Sequence, residues 1–418
     1  MKLTKLFTHI SLLIPAIVLA GNTDSFNFVT ISDIHLDKDQ SHVMEINPKG
    51  NNKNNDMDEK SFNNIMDSLS KTISKTDSKP EFILYLGDIV SHEDFIDKIS
   101  IRSKFVKSNE KTYFKKILEN NPDIPIINVF GNNDSTESNY GKFEYKEVSP
   151  YTIAMDSGFK NGFLSTGVKC DKDNKKQVYP CLVDDDVKQG IFAISLKKNL
   201  TLLGINSITF SPHSTLDNTA SFSQMTLLDK ELKLADKNNT QVLIAMHIAV
   251  GSNVYDGSNF WNKDDYDEFL HLVSLHKRSV KGILVGHTHM EEFKVLDFSG
   301  TQIGEYFTAG LSTTHGNSPS FKIFNMAKNN DIWSIDDYTT YQKHNTKGDP
   351  VFSKYYSFAS TYCANIKYKK DINNCLYGIT FKDILPKYTV GNPNNKNYVA
   401  KSPKDFIINI DKENRVSA

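Results

Sequence analysis

Five short apolar runs in this chain each end in residues able to hold a metal ion. The run 28–32 leads into Asp33 and His35, and the run 83–87 into Asp88. The run 127–131 leads into Asn132, Asn133 and Asp134. The run 242–246 leads into His247, and the run 283–286 into His287 and His289. Carboxylate, imidazole and amide donors suit borderline or hard divalent cations and need no cysteine. Two adjacent ions sharing a carboxylate can polarise a phosphoryl oxygen and generate hydroxide at neutral pH. Each fragment alone is ordinary: Asp-x-His is common decoration, Gly-Asp is often a turn, and a single His247 could be a satisfied core histidine. Five in series, each closing a predicted strand, point to a metal centre.

These residues span about 250 positions, so the fold must gather them. In open α/β sheets, ligands bind outside the carboxyl ends of the strands. The period of two along an extended chain sends Asp33 and His35 to one side, and likewise His287 and His289. Strands are predicted over 26–31, 82–86, 126–130, 202–205, 242–246 and 282–285. Several are apolar throughout, as strands buried on both faces are. Helical faces are predicted for Phe62, Ile65, Met66, Leu69 and Ile73, then for Phe222, Met225, Leu228, Leu232 and Ala235, and then for Tyr266, Phe269, Leu272 and Val273. Ser221 with Gln224 offers the second helix a capping box. Strands alternating with helices define an α/β class. After Glu291 the pattern changes to strand-like segments at 293–298, 302–309, 321–325 and 332–341, read as a second sheet packed on the first. The segment 47–60 and the last thirty or so residues are polar, and the first of these is expected to be a loop.

The chain has 418 residues and a formal net charge of −1. That length allows one large domain with a smaller addition. No basic stripe marks it for a nucleic-acid polymer. Arg102, Arg278 and Arg415 are its only arginines, so guanidinium forks for phosphate are scarce. Lys2 and Lys5, an apolar stretch, and Val18 with Ala20 read as a cleaved export signal over 1–20, which places the protein outside the cell or in the periplasm without a stable membrane anchor. In that setting Cys170 with Cys181, and Cys363 with Cys375, are expected to pair as two disulfides, a zinc cluster being the alternative.

The order of the five fragments resembles the calcineurin-like metallophosphoesterases: D-x-H, G-D, G-N-H-[DE], H, then G-H-x-H, over about 26–325. The resemblance implies a four-layer α/β/β/α sandwich over 24–327 with a small C-terminal subdomain and polar tail over 328–418. It implies two divalent metals, zinc first, with iron or manganese as alternatives. One would be held by Asp33, His35, Asp88 and His289, the other by Asp88, Asn132, His247 and His287. A bridging water or hydroxide would attack phosphorus.

Finer features are similar to the acid sphingomyelinase-like phosphodiesterase branch. They are Gly87-Asp88 with His92-Glu93, the loop from Met246 to Gly251, the spacing from Trp261 to His289, and Asn317 to Phe321. The chain departs from the family at Asn133, which stands where the family has the histidine that protonates the leaving oxygen. An amide donates a hydrogen bond but is no general acid. His92 is the natural substitute, with a supporting hydrogen bond to a ligand as its other reading. Asn133-Asp134-Ser135 also has the form of a glycosylation sequon, and a glycan there would block the site. Tyr255, Phe260 and Trp261 follow His247 and could cage a choline headgroup or stack a nucleobase. Acid sphingomyelinase itself carries a saposin-like lipid-loading module ahead of its catalytic domain, and such a module is not expected to fit between the expected cleavage site and 26. The expected substrates are therefore soluble phosphodiesters or phosphoanhydrides: nucleotides, or conjugates such as CDP-choline. The alternatives are a sphingomyelin phosphodiesterase and a catalytically weakened phosphate- or headgroup-binding protein.

Overall fold

The computed structural model describes residues 24–38, 56–92, 99–171, 177–314, 317–344, 351–364, 371–378 and 407–409. The expected export segment, residues 47–55, Glu93 and all of the polar tail except 407–409 lie outside the described residues.

Two sheets make up the body. Among the described residues the first has six strands and the second eight. In the first, β1 (Ser25–Ile31), β2 (Ile83–Leu86) and β3 (Ile126–Val129) run parallel. Helix α1 (Glu59–Ile73) and helix α2 (Ile99–Asn120) make the crossovers. Helix α3 (Pro150–Asp156) follows β3. In the second sheet, β4 (Cys181–Asp186) and β5 (Ile191–Lys197) form an antiparallel edge beside β6 (Leu200–Gly204). β6, β7 (Gln241–Ala245), β8 (Val280–Val285) and β10 (Gln302–Phe307) are parallel, joined in part by α4 (Asn218–Asn238) and α5 (Lys263–Leu275). β9 (Phe293–Asp297) runs antiparallel to β10. Crossovers of one hand keep each set of helices on one face of its sheet, which leaves the other faces to pack together. Tyr306 of β10 meets Phe324 and Tyr338 of the opposite sheet at ring separations of 5.9 and 5.5 Å. Burying one such ring contributes about 1.5–3 kcal/mol.

The segments after Glu291 do not form a sheet of their own. β9 and β10 complete the second sheet. β11 (Ser320–Asn329), β12 (Ile332–His344) and β13 (Val351–Ser357) extend the first by antiparallel pairing onto β1. The boundary expected at 327/328 therefore falls inside β11. β14 (Ile407–Asn409) borders β9, and the short helices α6 (Phe358–Tyr362) and α7 (Ile372–Gly378) pack on β12, β13 and β10. Cys170–Cys181 and Cys363–Cys375 are disulfide-bonded, as expected.

Helix α1 buries the five residues assigned to its face. Helix α4 differs from expectation. Its N-cap is Asp217, whose side chain accepts from Thr219 N–H, so Ser221 and Gln224 lie inside the helix. Gln224 instead joins two loops, accepting from Asn206 N–H and donating to the Gln189 carbonyl. Phe222 is 73 % exposed, because the buried stripe runs through Gln224, Met225, Leu228 and Leu232. Helix α2 had no clear signature. Its buried side mixes Arg102, Asn109 and Glu110 with Phe105, Val106, Tyr113, Phe114 and Ile117, which blurs the apolar period.

Candidate metal centre

The carboxyl ends of β1, β2 and β3 in one sheet and of β7 and β8 in the other meet at one place. Among the hydrogen bonds that join the sheets there, two are made by candidate ligands. His287 N–H donates to Asp33 Oδ2 at 3.0 Å, and His247 Nδ1 lies 2.7 Å from the Leu86 carbonyl. The backbone at Asp33, His35, Asp88, His287 and His289 is left-handed, with φ between 48° and 72°. A non-glycine residue in that conformation costs about 1–2 kcal/mol. Such strain persists where the surroundings over-determine it, and it gathers at functional sites. Glycine is reserved for the places where the chain must come close. At Gly87 (φ +103°) and Gly131, an added Cβ would collide with His247 and Asp88 respectively.

The side chains assemble as two groups. In the first, Asp33 Oδ1 lies 3.4 Å from His289 Nε2 and 3.8 Å from His35 Nε2, and the two imidazole nitrogens are 3.0 Å apart. In the second, His247 Nε2 is 3.3 Å from His287 Nδ1 and 3.2 Å from Asp88 Oδ2. Asp88 Oδ2 is also 3.7 Å from His35 Nε2, so this carboxylate stands between the groups. The outer nitrogens are fixed: His35 Nδ1 is 3.0 Å from the Val90 carbonyl, and His247 Nδ1 holds Leu86. That selects Nε2 of both rings as the inward lone pair. Asp33 Oδ1 and Asn132 Oδ1 are buried without a hydrogen-bond partner among the described residues. Asn132 Nδ2 donates to Asn139 Oδ1 at 2.8 Å, which leaves its oxygen as the available donor atom.

Charge in the pocket is unbalanced. Burial opposes charge on Asp88, but His247, His35 and His287 outweigh it and hold the carboxyl well below its usual range. Burial likewise opposes a proton on His247, yet Asp88, Asp33 and the Leu86 carbonyl raise it to about 9. Burial and the neighbouring His247 push His287 down to about 4. Buried carboxylates facing imidazole lone pairs, with two acceptor oxygens unused, fit a pair of divalent cations.

Asp134 is no ligand. Its carboxylate accepts from the N–H groups of Asp88, Gly131 and Ile89 and ties the β2 and β3 loops together. Asn133 is 1 % exposed and donates twice to Asp88, from N–H to Oδ1 at 2.8 Å and from Nδ2 to Oδ2 at 2.9 Å. Its sequon is therefore closed. Arg102 braces this loop by donating to the Asn133 and Ser135 carbonyls. His92 stacks on His35 with ring centroids 3.9 Å apart. Its Nδ1 is 2.8 Å from Asp56 Oδ1, and its N–H donates to Asp56 Oδ2. Asp56 was hidden in a polar segment read as loop; no periodicity or motif marked it.

The three rings after His247 do not form an open cage. Trp261 is 2 % exposed, packed on Phe210 and Phe269, with its indole N–H on the Ile248 carbonyl. Phe260 is 6 % exposed, with Lys294 Nζ over one face and its ring 5.8 Å from His287. Tyr255 is half-buried and donates to the Thr288 carbonyl at 2.9 Å. The positions follow from burial: the loop covers the end of the second sheet, so two of its three rings serve the core. Tyr140 and His213, which sequence reasoning missed, lie on the His287 side, with ring separations of 6.4 Å (Tyr140 to His287) and 5.4 Å (Tyr140 to His213).

Residues 26–291 match the calcineurin-like phosphoesterase family model, more than half of the chain, and the protein belongs to that family of metal-dependent phosphoester hydrolases. Within it, the chain is similar to human acid sphingomyelinase-like phosphodiesterase 3b, with 22 % identity over 314 residues. The match covers 71 % of this chain and 65 % of that relative's length. Among solved structures it is similar to a dimetal phosphatase from Danio rerio (13 % identity, TM-score 0.47, covering 79 % of this chain and 99 % of that one). It is also similar to GAP50, the anchor in the inner membrane complex of Plasmodium (11 % identity, TM-score 0.41, covering 85 % and 94 %).

Proposed function

We propose that this protein hydrolyses soluble phosphodiesters or phosphoanhydrides, namely nucleotides and conjugates of the CDP-choline type, at a centre of two divalent ions, zinc first among them. The observation that carries the reading is the convergence of Asp33, His35, Asp88, His247, His287 and His289 in two groups that meet at Asp88. Asp33, His35, Asp88 and His289 would hold one ion, and Asp88, Asn132, His247 and His287 the other. When bound, such ions polarise the phosphoryl group and lower the pKa of water.

The chain's own residues supply the rest. His92 holds a proton beside the first group. Burial opposes that proton, but the hydrogen bond and charge of Asp56 raise the imidazole above its ordinary range. A carboxylate on Nδ1 fixes the tautomer and steadies the imidazolium, which leaves Nε2 to protonate a departing oxygen. Asn133 has no proton to give and instead steadies Asp88. That fits leaving groups that depart readily, as those of phosphoanhydrides do. Tyr255, the half-buried ring of the three, is kept in this reading as a substrate contact, while Phe260 and Trp261 belong to the core beneath the loop. Export belongs to the same reading and is supported by the two disulfides. No helix among the described residues is long and apolar enough to cross a membrane.

A second reading has one observation in its favour. The Asn133 amide nitrogen donates to Asp88 and its oxygen is buried without a partner among the described residues, so this side chain offers a leaving group no proton, as expected of a weakened phosphate- or headgroup-binding protein. The test is kcat/KM of the zinc-reconstituted protein on ATP, CDP-choline and liposomal sphingomyelin without detergent. Preference for ATP or CDP-choline supports the proposal. A preference for sphingomyelin of about tenfold or more, ~1.4 kcal/mol, makes it a sphingomyelinase instead. Bound metal with no turnover, even of a nitrophenyl phosphodiester, establishes the binder.

A further inference from the structure

Beside the second ligand group stand two rings to which no role has been given. Tyr140 has a left-handed backbone, with φ +58°. For a bulky aromatic residue that is a true outlier, kept only where neighbours enforce it. Two backbone hydrogen bonds do so. Tyr140 N–H donates to the carbonyl of Asn132, and Thr215 N–H donates to the carbonyl of Tyr140, at 3.2 and 3.1 Å. The residue is thus pinned on one side to the loop that carries a ligand and on the other to the loop that carries His213. Its ring stands edge-on to His287, at 87° and 6.4 Å, and is tilted 55° to His213 at 5.4 Å. Tyr140 is half-buried and His213 exposed, whereas Phe260 and Trp261 are sunk in the core.

We propose that Tyr140 and His213 form a wall that binds a flat heteroaromatic group, such as the nucleobase of a nucleoside phosphate whose phosphate lies at the centre. The location beside a phosphate rests on the hydrolase reading above. A stacking wall accepts any base, because every base presents a π face. It also discriminates against substrates without a ring. The wall lies beside His287 and His247, whereas His92 and Asp56 lie beside His35 and His289. A bound substrate therefore keeps its ring on one side of the centre and its proton donor on the other.

The experiment compares ATP with tripolyphosphate, a phosphoanhydride without a ring, on the metal-reconstituted protein. Tyr140→Ala lowers the kcat/KM preference for ATP over tripolyphosphate by on the order of tenfold, the size of one base–aromatic stack, and His213→Ala lowers it several-fold. Tyr140→Phe keeps the preference. Calorimetric binding of AMP and of inorganic phosphate gives the same answer without turnover: AMP weakens in Tyr140→Ala by more than phosphate does. The proposal is overturned if the preference is unchanged in both alanine variants, or if AMP and phosphate weaken in step. It is also overturned if AMP binds the unmutated protein no better than phosphate. Should Tyr140→Ala fail to fold, His213→Ala, at an exposed position, decides. If neither substrate is cleaved by the unmutated protein, the hydrolase reading falls, and AMP binding still judges the wall.

Discussion

His92 lies flat against His35, with 3.9 Å between ring centroids, while Asp56 holds its Nδ1 at 2.8 Å. If this imidazole is the proton donor, its loss must hurt in proportion to how badly the leaving group needs a proton. His92→Ala should lower kcat on an alkyl phosphodiester, whose alkoxide leaves poorly, by ~10²-fold or more and on a nitrophenyl diester by far less. Asp56→Asn should give a weaker copy of that pattern and move the alkaline limb of the pH–rate profile of the enzyme–substrate complex to lower pH, because a general acid is lost as pH rises through its pKa and Asp56 raises that of His92. Equal losses on both substrates would assign His92 to phosphate binding or to support of His35.

The second prediction concerns metal content. His287 supplies Nδ1 to the second group only, and its fold-related contact to Asp33 uses the backbone N–H. His287→Ala should therefore keep the far-UV circular dichroism and lose about one metal per chain. Turnover should fall by ~10²-fold or more, because the remaining donors cannot hold the second ion. Two metals per chain by mass spectrometry, with full activity after chelation and zinc reconstitution, would contradict the assignment.

Restoring the family's histidine is the third test. In Asn133→His the backbone N–H bond to Asp88 Oδ1 is retained, while the amide bond to Oδ2 is exchanged for an imidazole. The rate on poor leaving groups should rise by about tenfold, with little change on nitrophenyl esters. No change on either would show that the imidazole is not missed here.

A fourth prediction follows from a buried acid behind the loop after His247. Glu305 Oε1 accepts from Val250 N–H at 2.7 Å, and Lys294 Nζ donates to the Ser252 carbonyl, so these two side chains anchor the loop that carries Tyr255 and Phe260. Burial pushes the Glu305 carboxyl up to about 8, with Lys294 and the Val250 amide pulling it down and Glu292 adding to the rise. An acid whose folded pKa is raised contributes its full stability below the unfolded value of about 4.3, and that stability is lost as pH rises through the folded value. Glu305→Gln keeps the acceptor and cannot ionise. Relative to the unmutated protein it should gain more than about 1 kcal/mol between pH ~5 and ~8 in urea unfolding. A pH-independent difference would mean that the carboxyl stays ionised, paired with Lys294.

Much of the site was legible because its residues sit at strand ends. Asp33, His35, Asp88, Asn132, His247, His287 and His289 each follow a short apolar run, and a buried parallel strand leaves that mark in sequence. Glycines at 87 and 131 had a local signature too, since close approach forbids a Cβ there. Helix α1 was equally plain, because its buried face is wholly apolar apart from Ser68. Helix α2 was not, because Arg102 and Glu110 lie on its buried side.

By itself, then, the sequence determined the α/β class, the local cysteine pairs and the set of metal-capable side chains, since each depends on neighbours within a few positions. Tertiary structure alone decided the rest. It set Asp56 on His92 across 36 positions and Tyr140 beside His213 across 73. It split the strands after Glu291 between two sheets, and it sank Trp261 while leaving Phe222 in water. Those outcomes depend on which loops and faces meet once the sheets have packed. Pairing across long separations costs loop-closure entropy that only the whole core repays, so no local window of residues records it.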